Sequence, residues 1–141
     1  MKLKILIPVL VALFCLASQC KESGKVDWLC QQWELVSMND PYQGGTVTEA
    51  DPSNPQYREF EKDGIYREFD NENQGSGIWA FNADSTKIGI VLETYNGSPT
   101  GNVLEVSDYR WELRELTKDK LVLAIQGRHG FVEHNYKAVK K

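Results

Sequence analysis

The sequence predicts an all-β protein, an eight-stranded up-and-down antiparallel barrel that follows an N-terminal signal peptide. From Trp33 onward, short runs of strand-forming residues are separated by turn residues, and no stretch keeps a helical period. Several runs alternate large apolar side chains with small or polar ones, and long connections alternate with short ones. Closing such a sheet into a barrel removes both exposed edges, although a sandwich of the same strands stays open as an alternative.

The eight predicted strands are residues 33–38, 57–61, 65–70, 77–82, 86–94, 103–117, 120–126 and 131–137. Side chains alternate between the two faces of a strand, so large apolar residues two positions apart share a face. We therefore expect the following groups to point into the barrel: Trp79 and Phe81; Ile88, Ile90 and Leu92; Tyr109, Trp111 and Leu113; Leu121, Leu123 and Ile125.

Connection lengths indicate how the two ends of the barrel differ. The first, third and fifth connections are long (39–56, 71–76 and 95–102), and the second, fourth and sixth are tight turns (62–64, 83–85 and 118–119). In a meander these two sets lie at opposite ends, and only the short seventh connection, 127–130, departs from the pattern. The first loop, with three prolines and the Gly44-Gly45 pair, is either a lid over the interior or a disordered surface loop.

The N-terminus resembles a bacterial lipoprotein signal. Lys2 and Lys4 precede an apolar run, residues 5–16, that is too short to span a bilayer, and Cys20 follows as the predicted lipidation site. The domain prediction is a signal peptide at 1–19, an anchor and tether at 20–27, and a barrel domain at 28–141. Because Gln19 departs from the usual small residue before the cysteine, cleavage after Ala17 remains an alternative. That cleavage would give a secreted or periplasmic protein in which Cys20 and Cys30 could pair.

Charge limits the partners. All twenty acidic residues but only fourteen of the sixteen basic ones lie beyond Cys20, so the processed chain carries a net charge of −6. Nucleic acid is therefore not an expected partner. Lys21 follows the cysteine, in place of the Asp that often retains lipoproteins in the inner membrane. This favours the outer membrane of a Gram-negative cell envelope.

Several short motifs resemble the lipocalin-like (calycin-type) domain of bacterial lipoproteins. They are Leu29 with Trp33-Glu34-Leu35, the segment 60–66, Gly77-Ile78-Trp79, and Tyr109-Arg110-Trp111 with the segment 116–123. Their order and spacing carry the resemblance across nearly the whole processed chain. The resemblance implies binding of a small apolar molecule inside the barrel.

Four side chains are the ligand-binding candidates. Arg67 shares a strand face with Ile65 and Phe69, so a buried guanidinium there could bind a ligand carboxylate; the competing phase turns Tyr66 and Glu68 inward and exposes Arg67. Trp79, Tyr109 and Trp111 are candidates for the cavity wall, as an alternative to plain core.

The sequence offers little to an enzyme. His129 and His134 are five residues apart and fall on opposite faces of a strand, which argues against a shared metal ion. Glu59, Glu61 and Glu68 could form a carboxylate pair, but charged residues on strands are usually solvated, and no nucleophile motif is present. We expect no metal, no cofactor and no catalysis.

Two functions remain as hypotheses. The first is a lipid-anchored barrel that binds a small apolar or amphipathic ligand. The second is a cell-envelope module whose barrel is filled by its own side chains and whose loops contact a protein or glycan. Since the first strand begins at the tight-turn end, Cys20 should tether that end, and the long loops should face away from the membrane.

Overall fold

The computed structural model describes residues 24–101 and 109–140. The predicted signal peptide and Cys20 lie outside this range. Residues 24–29 are helical, and a 3-10 turn spans Pro41–Gln43. The strands are β1 (Gln32–Asp40), β2 (Thr46–Glu49), β3 (Tyr57–Phe60), β4 (Ile65–Phe69), β5 (Gln74–Phe81), β6 (Lys87–Tyr95), β7 (Ser98–Pro99), β8 (Trp111–Leu116), β9 (Lys120–Gln126) and β10 (Phe131–Ala138). Among the described residues, no helix is long and apolar enough to cross a membrane.

The strands close into the predicted antiparallel barrel. In the order β1, β3, β4, β5, β6, β8, β9, β10, each pairs with the next, and β10 returns to pair with β1. Trp33 of β1 lies opposite Ala138 of β10 across this closing seam. A hydrogen-bonded seam joins the two ends of the meander, so the fold is a barrel and not a sandwich.

Two additional strands lie outside the prediction. The loop 39–56 contains β2, which pairs with the second half of β1, and β7 pairs with the end of β6. The turn before β2 is built locally: Asp40 Oδ1 accepts a hydrogen bond from the Tyr42 backbone N–H at 2.9 Å, and Gly44 and Gly45 adopt positive φ. The first connection is therefore an ordered hairpin.

The connection before β5 is shorter than expected, because β5 begins at Gln74 and only residues 70–73 remain between strands. Asp70 orders this turn by accepting backbone hydrogen bonds from Glu72 and Asn73, each at 2.8 Å. Of the predicted strand 103–117, β8 supplies only Trp111–Leu116, and residues 102–108 are outside the described range.

We name the two ends of the barrel by their connections. The open end carries the first, third, fifth and seventh connections, and the closed end carries the three tight turns.

Two bulges shape the barrel. In β1 the pairing with β10 shifts between Leu35 and Ser37, and beyond this point the other edge of β1 passes from β3 to β2. In β5 the bulge lies between Ser76 and Gly77. A Cβ at Gly77 would be 1.8 Å from the Val91 carbonyl oxygen, so only glycine fits this close approach of the two backbones.

The N-terminal segment, residues 24–31, lies across the closed end and touches all three tight turns. Lys25 donates to the Ser85 carbonyl at 3.0 Å, Asp27 pairs with Lys62 at 2.5 Å, and Gln31 donates to the Lys118 carbonyl at 3.0 Å. This segment therefore closes the end of the barrel that the predicted tether approaches.

The core is aromatic near the closed end. Trp33, Phe60, Tyr66 and Leu29 are 0–1% exposed, and Trp33 Nε1 donates to the Leu29 carbonyl at 2.9 Å. Phe60 and Trp79 meet edge to face, with ring centroids 5.6 Å apart. The predicted interior is confirmed apart from Tyr109: its other members are Trp79, Phe81, Ile88, Ile90, Leu92, Trp111, Leu113, Leu121, Leu123 and Ile125.

Candidate functional site

The hairpin of β3 and β4 places two opposite charges inside the barrel. Phe60 pairs with Tyr66 and, two residues nearer the open end, Arg58 pairs with Glu68. Phe60 and Tyr66 are 1% and 0% exposed, so this phase of both strands faces the interior. The side chains of Arg58 and Glu68 are only 19% and 29% exposed. The inward-facing side chains of β3 and β4 are thus aromatic nearer the closed end and charged nearer the open end.

Hydrogen bonds join the charged pair to a phenol. Arg58 Nη1 lies 3.2 Å from Glu68 Oε2 and donates to Tyr66 Oη at 2.5 Å. Tyr66 Oη in turn donates to Glu68 Oε2 at 2.7 Å. One carboxylate oxygen therefore receives both donors, which fixes the rotamers of all three side chains.

Aromatic rings form the walls around the guanidinium. The Arg58 Cζ atom is 4.3 Å from the Trp111 ring centroid and 5.8 Å from that of Tyr136. Both distances suit a cation–π interaction. Tyr66 and Trp111 also meet edge to face at 6.1 Å. We name the set Arg58, Tyr66, Glu68, Trp111, His134 and Tyr136 the interior polar cluster.

His134 completes this cluster from β10. It pairs with Leu123, whose side chain is fully buried, and its Nδ1 lies 3.4 Å from Tyr136 Oη. Burial and, second, the positive charge of Arg58 lower the pKa of His134 from 6.5 to about 4. His134 is therefore a neutral imidazole at neutral pH, able to donate and accept hydrogen bonds.

Arg58, Tyr66 and Tyr136 keep fixed protonation states at neutral pH. Burial alone would lower the pKa of Arg58, but the oxygens of Tyr66, Tyr136 and Glu68 raise it above its ordinary value. Burial is also the main cause of the raised pKa values of Tyr66 and Tyr136. The cluster thus presents a permanent cation and two neutral phenols.

A cleft connects the charged pair with the open end. It has a volume of about 110 Å³ and is lined by Arg58, Glu68, Gln56, Asp70, Asn73 and Tyr95, with Tyr57 and Phe69. Gly75 lies opposite Glu68 on β5, and a Cβ there would be 3.2 Å from Glu68 Cγ and 3.1 Å from a Leu92 methyl. Glycine at this position therefore allows Glu68 and Leu92 to pack closely against the β5 backbone, with little room for a larger side chain.

Arg67 does not lie in this site. Its side chain is 44% exposed on the outside of the barrel, where it pairs with Glu59 at 3.5 Å and also with Glu61. The interior prediction for Arg67 is wrong, and the competing phase, with Tyr66 and Glu68 inward, is the one adopted. The reason is that Tyr66 packs fully into the core, which forces its neighbour outward.

The three predicted wall aromatics have different positions. Trp111 lies against Arg58, with the guanidinium over its ring. Trp79 lies in the packed core nearer the closed end, where its Nε1 donates to the Glu61 carbonyl at 2.9 Å. Tyr109 precedes β8, and its ring packs on Gly89, so that a Cβ at Gly89 would be 3.0 Å from it. Gly89 alternates with the inward Ile88 and Ile90, which places Tyr109 on the outer face.

The predicted carboxylate pair is divided. Glu59 and Glu61 pair with Arg67 outside, whereas Glu68 is inside with Arg58. His129 is exposed in the connection before β10, away from His134 in the interior. Within residues 24–101 and 109–140, no group of three or more His, Cys, Asp or Glu side chains could hold a metal ion.

Arg58 is the site residue that the sequence interpretation missed, although a signal was present. The turn Lys62-Asp63-Gly64 fixes the pairing of the strands beside it, and counting outward places Arg58 opposite Glu68. The same count places Glu59 opposite Arg67 beside the aromatic pair Tyr57 and Phe69, so this signal identifies two charge pairs and does not show which one is interior.

Comparison with known proteins adds little to this geometry. No family model and no curated protein matches the chain. The crystal structure of a DUF4847 family protein from Bacteroides vulgatus ATCC 8482 is similar, at 10% sequence identity and a TM-score of 0.48, over 81% of this chain and 96% of that chain. Since a likeness at this level says nothing about function, the interior polar cluster is the strongest indication of what the chain does.

Proposed function

We propose that this protein is an outer-membrane lipoprotein, anchored through Cys20, whose barrel binds a small amphipathic ligand through its open end. The observation that carries the proposal is the Arg58–Glu68 pair inside the barrel, which lines a cleft. A buried ion pair contributes little to stability compared with apolar residues of the same size. Its position next to an opening therefore favours a binding role.

The surroundings of the pair suit a ligand with a polar and an apolar part. Arg58 and Glu68 offer a donor and an acceptor of opposite charge, so the polar part would be held by directional hydrogen bonds. Leu92, Leu113 and Ile125 are partly buried interior side chains that would cover the apolar part. The lipocalin-like resemblance agrees with this mode of binding and remains a prediction.

The test is recovery of small molecules with the folded protein. We expect native mass spectrometry of the wild type, purified from its own envelope, to detect a bound species that is lost from Arg58→Met. Arg67→Met is the matched control, because it removes an arginine from the adjacent strand but on the outer face. If the wild type repeatedly carries nothing, or if both variants lose the species equally, ligand binding at the cluster is refuted.

Anchoring has a separate test. Cys20→Ser should move the protein from the membrane fraction to the soluble fraction, because a lipid anchor needs the thiol. Retention of the Cys20→Ser protein in the membrane fraction would contradict lipidation at this residue.

One observation supports the rival function, an interaction module. Tyr42 and Val47 are 62% and 54% exposed on the hairpin at the open end. Two large exposed apolar side chains on one hairpin suit a contact surface for a protein or glycan. If this function is correct, replacing both residues by Ser should abolish capture of that partner and leave small-molecule recovery unchanged. Arg58→Met should leave capture of the partner unchanged and abolish small-molecule recovery.

A further inference from the structure

One continuous surface covers the outside of the closed end. Gln31 Nε2 donates to the Trp28 carbonyl at 2.9 Å and to the Lys118 carbonyl at 3.0 Å, which joins the N-terminal segment to the turn before β9. The C-terminal residues join the same surface, since the Ala138 N–H donates to the Asp119 carbonyl and the Val139 N–H to the Gln32 carbonyl. A shallow hollow at their junction is lined by Cys30, Gln31, Lys118, Val139 and Lys140. We call this surface the closed-end face.

A tryptophan projects from the closed-end face. Leu29 is fully buried and fixes the segment 24–31 to the core, whereas its neighbour Trp28 is 41% exposed. Because Leu29 points into the core, its neighbour Trp28 points outward and cannot pack inside the barrel. Tryptophan in this position is suited to the interfacial layer of a membrane, where an apolar ring and a polar N–H are both accommodated.

The charges of the two ends differ. The segments that form the closed end expose charges of both signs: Lys62, Lys118 and Lys140, with Asp27, Asp63, Asp84 and Asp119. Lys62 is paired to Asp27. The open end instead exposes carboxylates, including Glu49, Asp51 and Glu72. An anionic surface would therefore repel the open end more strongly than the closed end.

The length of the tether brings this face to the membrane. Four peptide links separate Cys20 from Gly24, the first described residue, and they reach at most about 15 Å. If Cys20 is acylated, as the proposed function requires, Gly24 lies within about 15 Å of the membrane surface, and Trp28 follows it after one helical turn.

We propose that the closed-end face binds the surface of an anionic lipid bilayer, with the Trp28 ring in the interfacial layer and Lys118 and Lys140 against lipid phosphates. The barrel is then held with its open end toward the aqueous phase by this contact in addition to the anchor. This proposal rests on anchoring through Cys20 and makes the orientation of the barrel a property of the fold.

The test uses the full lipidated protein in vesicles of brominated phosphatidylcholine, with or without phosphatidylglycerol. Bromine quenches tryptophans that enter the bilayer, and Trp33 and Trp79 are buried in the protein. We expect quenching that depends on phosphatidylglycerol and disappears in Trp28→Phe. As a matched control, adding Tyr42→Trp to Trp28→Phe, which places an exposed tryptophan at the open end, should not restore quenching.

Charge reversal tests the lysines. Lys118→Glu and Lys140→Glu should each lower the ratio of quenched to unquenched Trp28 by about five-fold or more, since a lysine near an anionic surface contributes about 1 kcal/mol. Arg128→Glu, an exposed site in the connection before β10, should change nothing.

Two failures can be told apart. Protein that remains on the vesicles while Trp28→Phe leaves quenching unchanged would overturn the contact and leave the anchor intact. Protein that does not remain on vesicles at all would refute anchoring at Cys20, and the contact with it.

Discussion

Removing the interior cation, Arg58, should lower the free energy of unfolding much more than removing the exterior cation, Arg67. The variant Arg58→Met tests this directly. In the variant, Glu68 stays in the barrel with Tyr66 as its hydrogen-bond donor but without its counter-ion. Breaking a fully buried ion pair from one side costs about 3–5 kcal/mol. Because the two side chains are 19% and 29% exposed, we expect about 2–3 kcal/mol, including the lost contact with Trp111.

The comparison is made by urea unfolding, followed by circular dichroism. Arg67→Met removes a 44% exposed guanidinium and should cost at most about 1 kcal/mol. The double variant Arg58→Met, Glu68→Leu should regain part of the stability lost in Arg58→Met, since no charge is then left unpaired. Two results would refute a costly unpaired charge in the barrel. One is that the free energies of unfolding of Arg58→Met and Arg67→Met agree within about 0.5 kcal/mol, and the other is that the double variant is less stable than Arg58→Met.

Three further predictions concern pH and packing. Because the pKa of His134 is about 4 in the folded chain and ordinarily 6.5, its contribution is complete above pH 6.5 and is lost as the pH falls toward 4. The difference in free energy of unfolding between wild type and His134→Gln should therefore shrink by about 3 kcal/mol from pH 7 to pH 4. Urea titrations at each pH measure this difference, and the exposed His129→Gln is the control. A difference that does not change with pH would contradict the lowered pKa of His134. Gly77→Ala should cost at least about 2 kcal/mol in thermal unfolding, since its Cβ would meet the Val91 carbonyl, and a loss below about 0.5 kcal/mol would show that the bulge gives way. Trp33→Phe should cost about 1–3 kcal/mol in urea unfolding through its lost hydrogen bond and volume, and an unchanged midpoint would mean that the closed end repacks.

The sequence predicted the interior best where the largest apolar residues of a strand lie two positions apart. This is the case for Ile88 and Ile90 on β6 and for Leu121 and Leu123 on β9, and all four lie in or against the core. Alternation failed on β4, because Ile65, Tyr66 and Phe69 place large side chains on both faces. There the deciding interaction is between strands: Tyr66 packs beside Phe60, with ring centroids 5.3 Å apart.

Strands without a buried face could not be predicted from the alternation of apolar and polar residues. β2 is exposed along its whole length, so its residues Thr46–Glu49 lack the alternation by which strands are recognised. Tyr109 was misplaced for a related reason: the pattern with Trp111 continues through it, but the strand begins only at Trp111. Sequence periodicity cannot report where a backbone leaves the sheet.

The pairing of β1 with β10 also has a consequence for how the chain folds. Trp33 and Ala138 are partners across the seam although almost the whole barrel domain separates them in sequence. Contacts this distant are slow to form, because the entropy of closing the intervening loop is lost before the contact is gained. For a chain anchored at Cys20, β1 is held near the membrane while β10 diffuses to it. Pairing of β10 with β1 is therefore expected to be a slow step in closing the barrel.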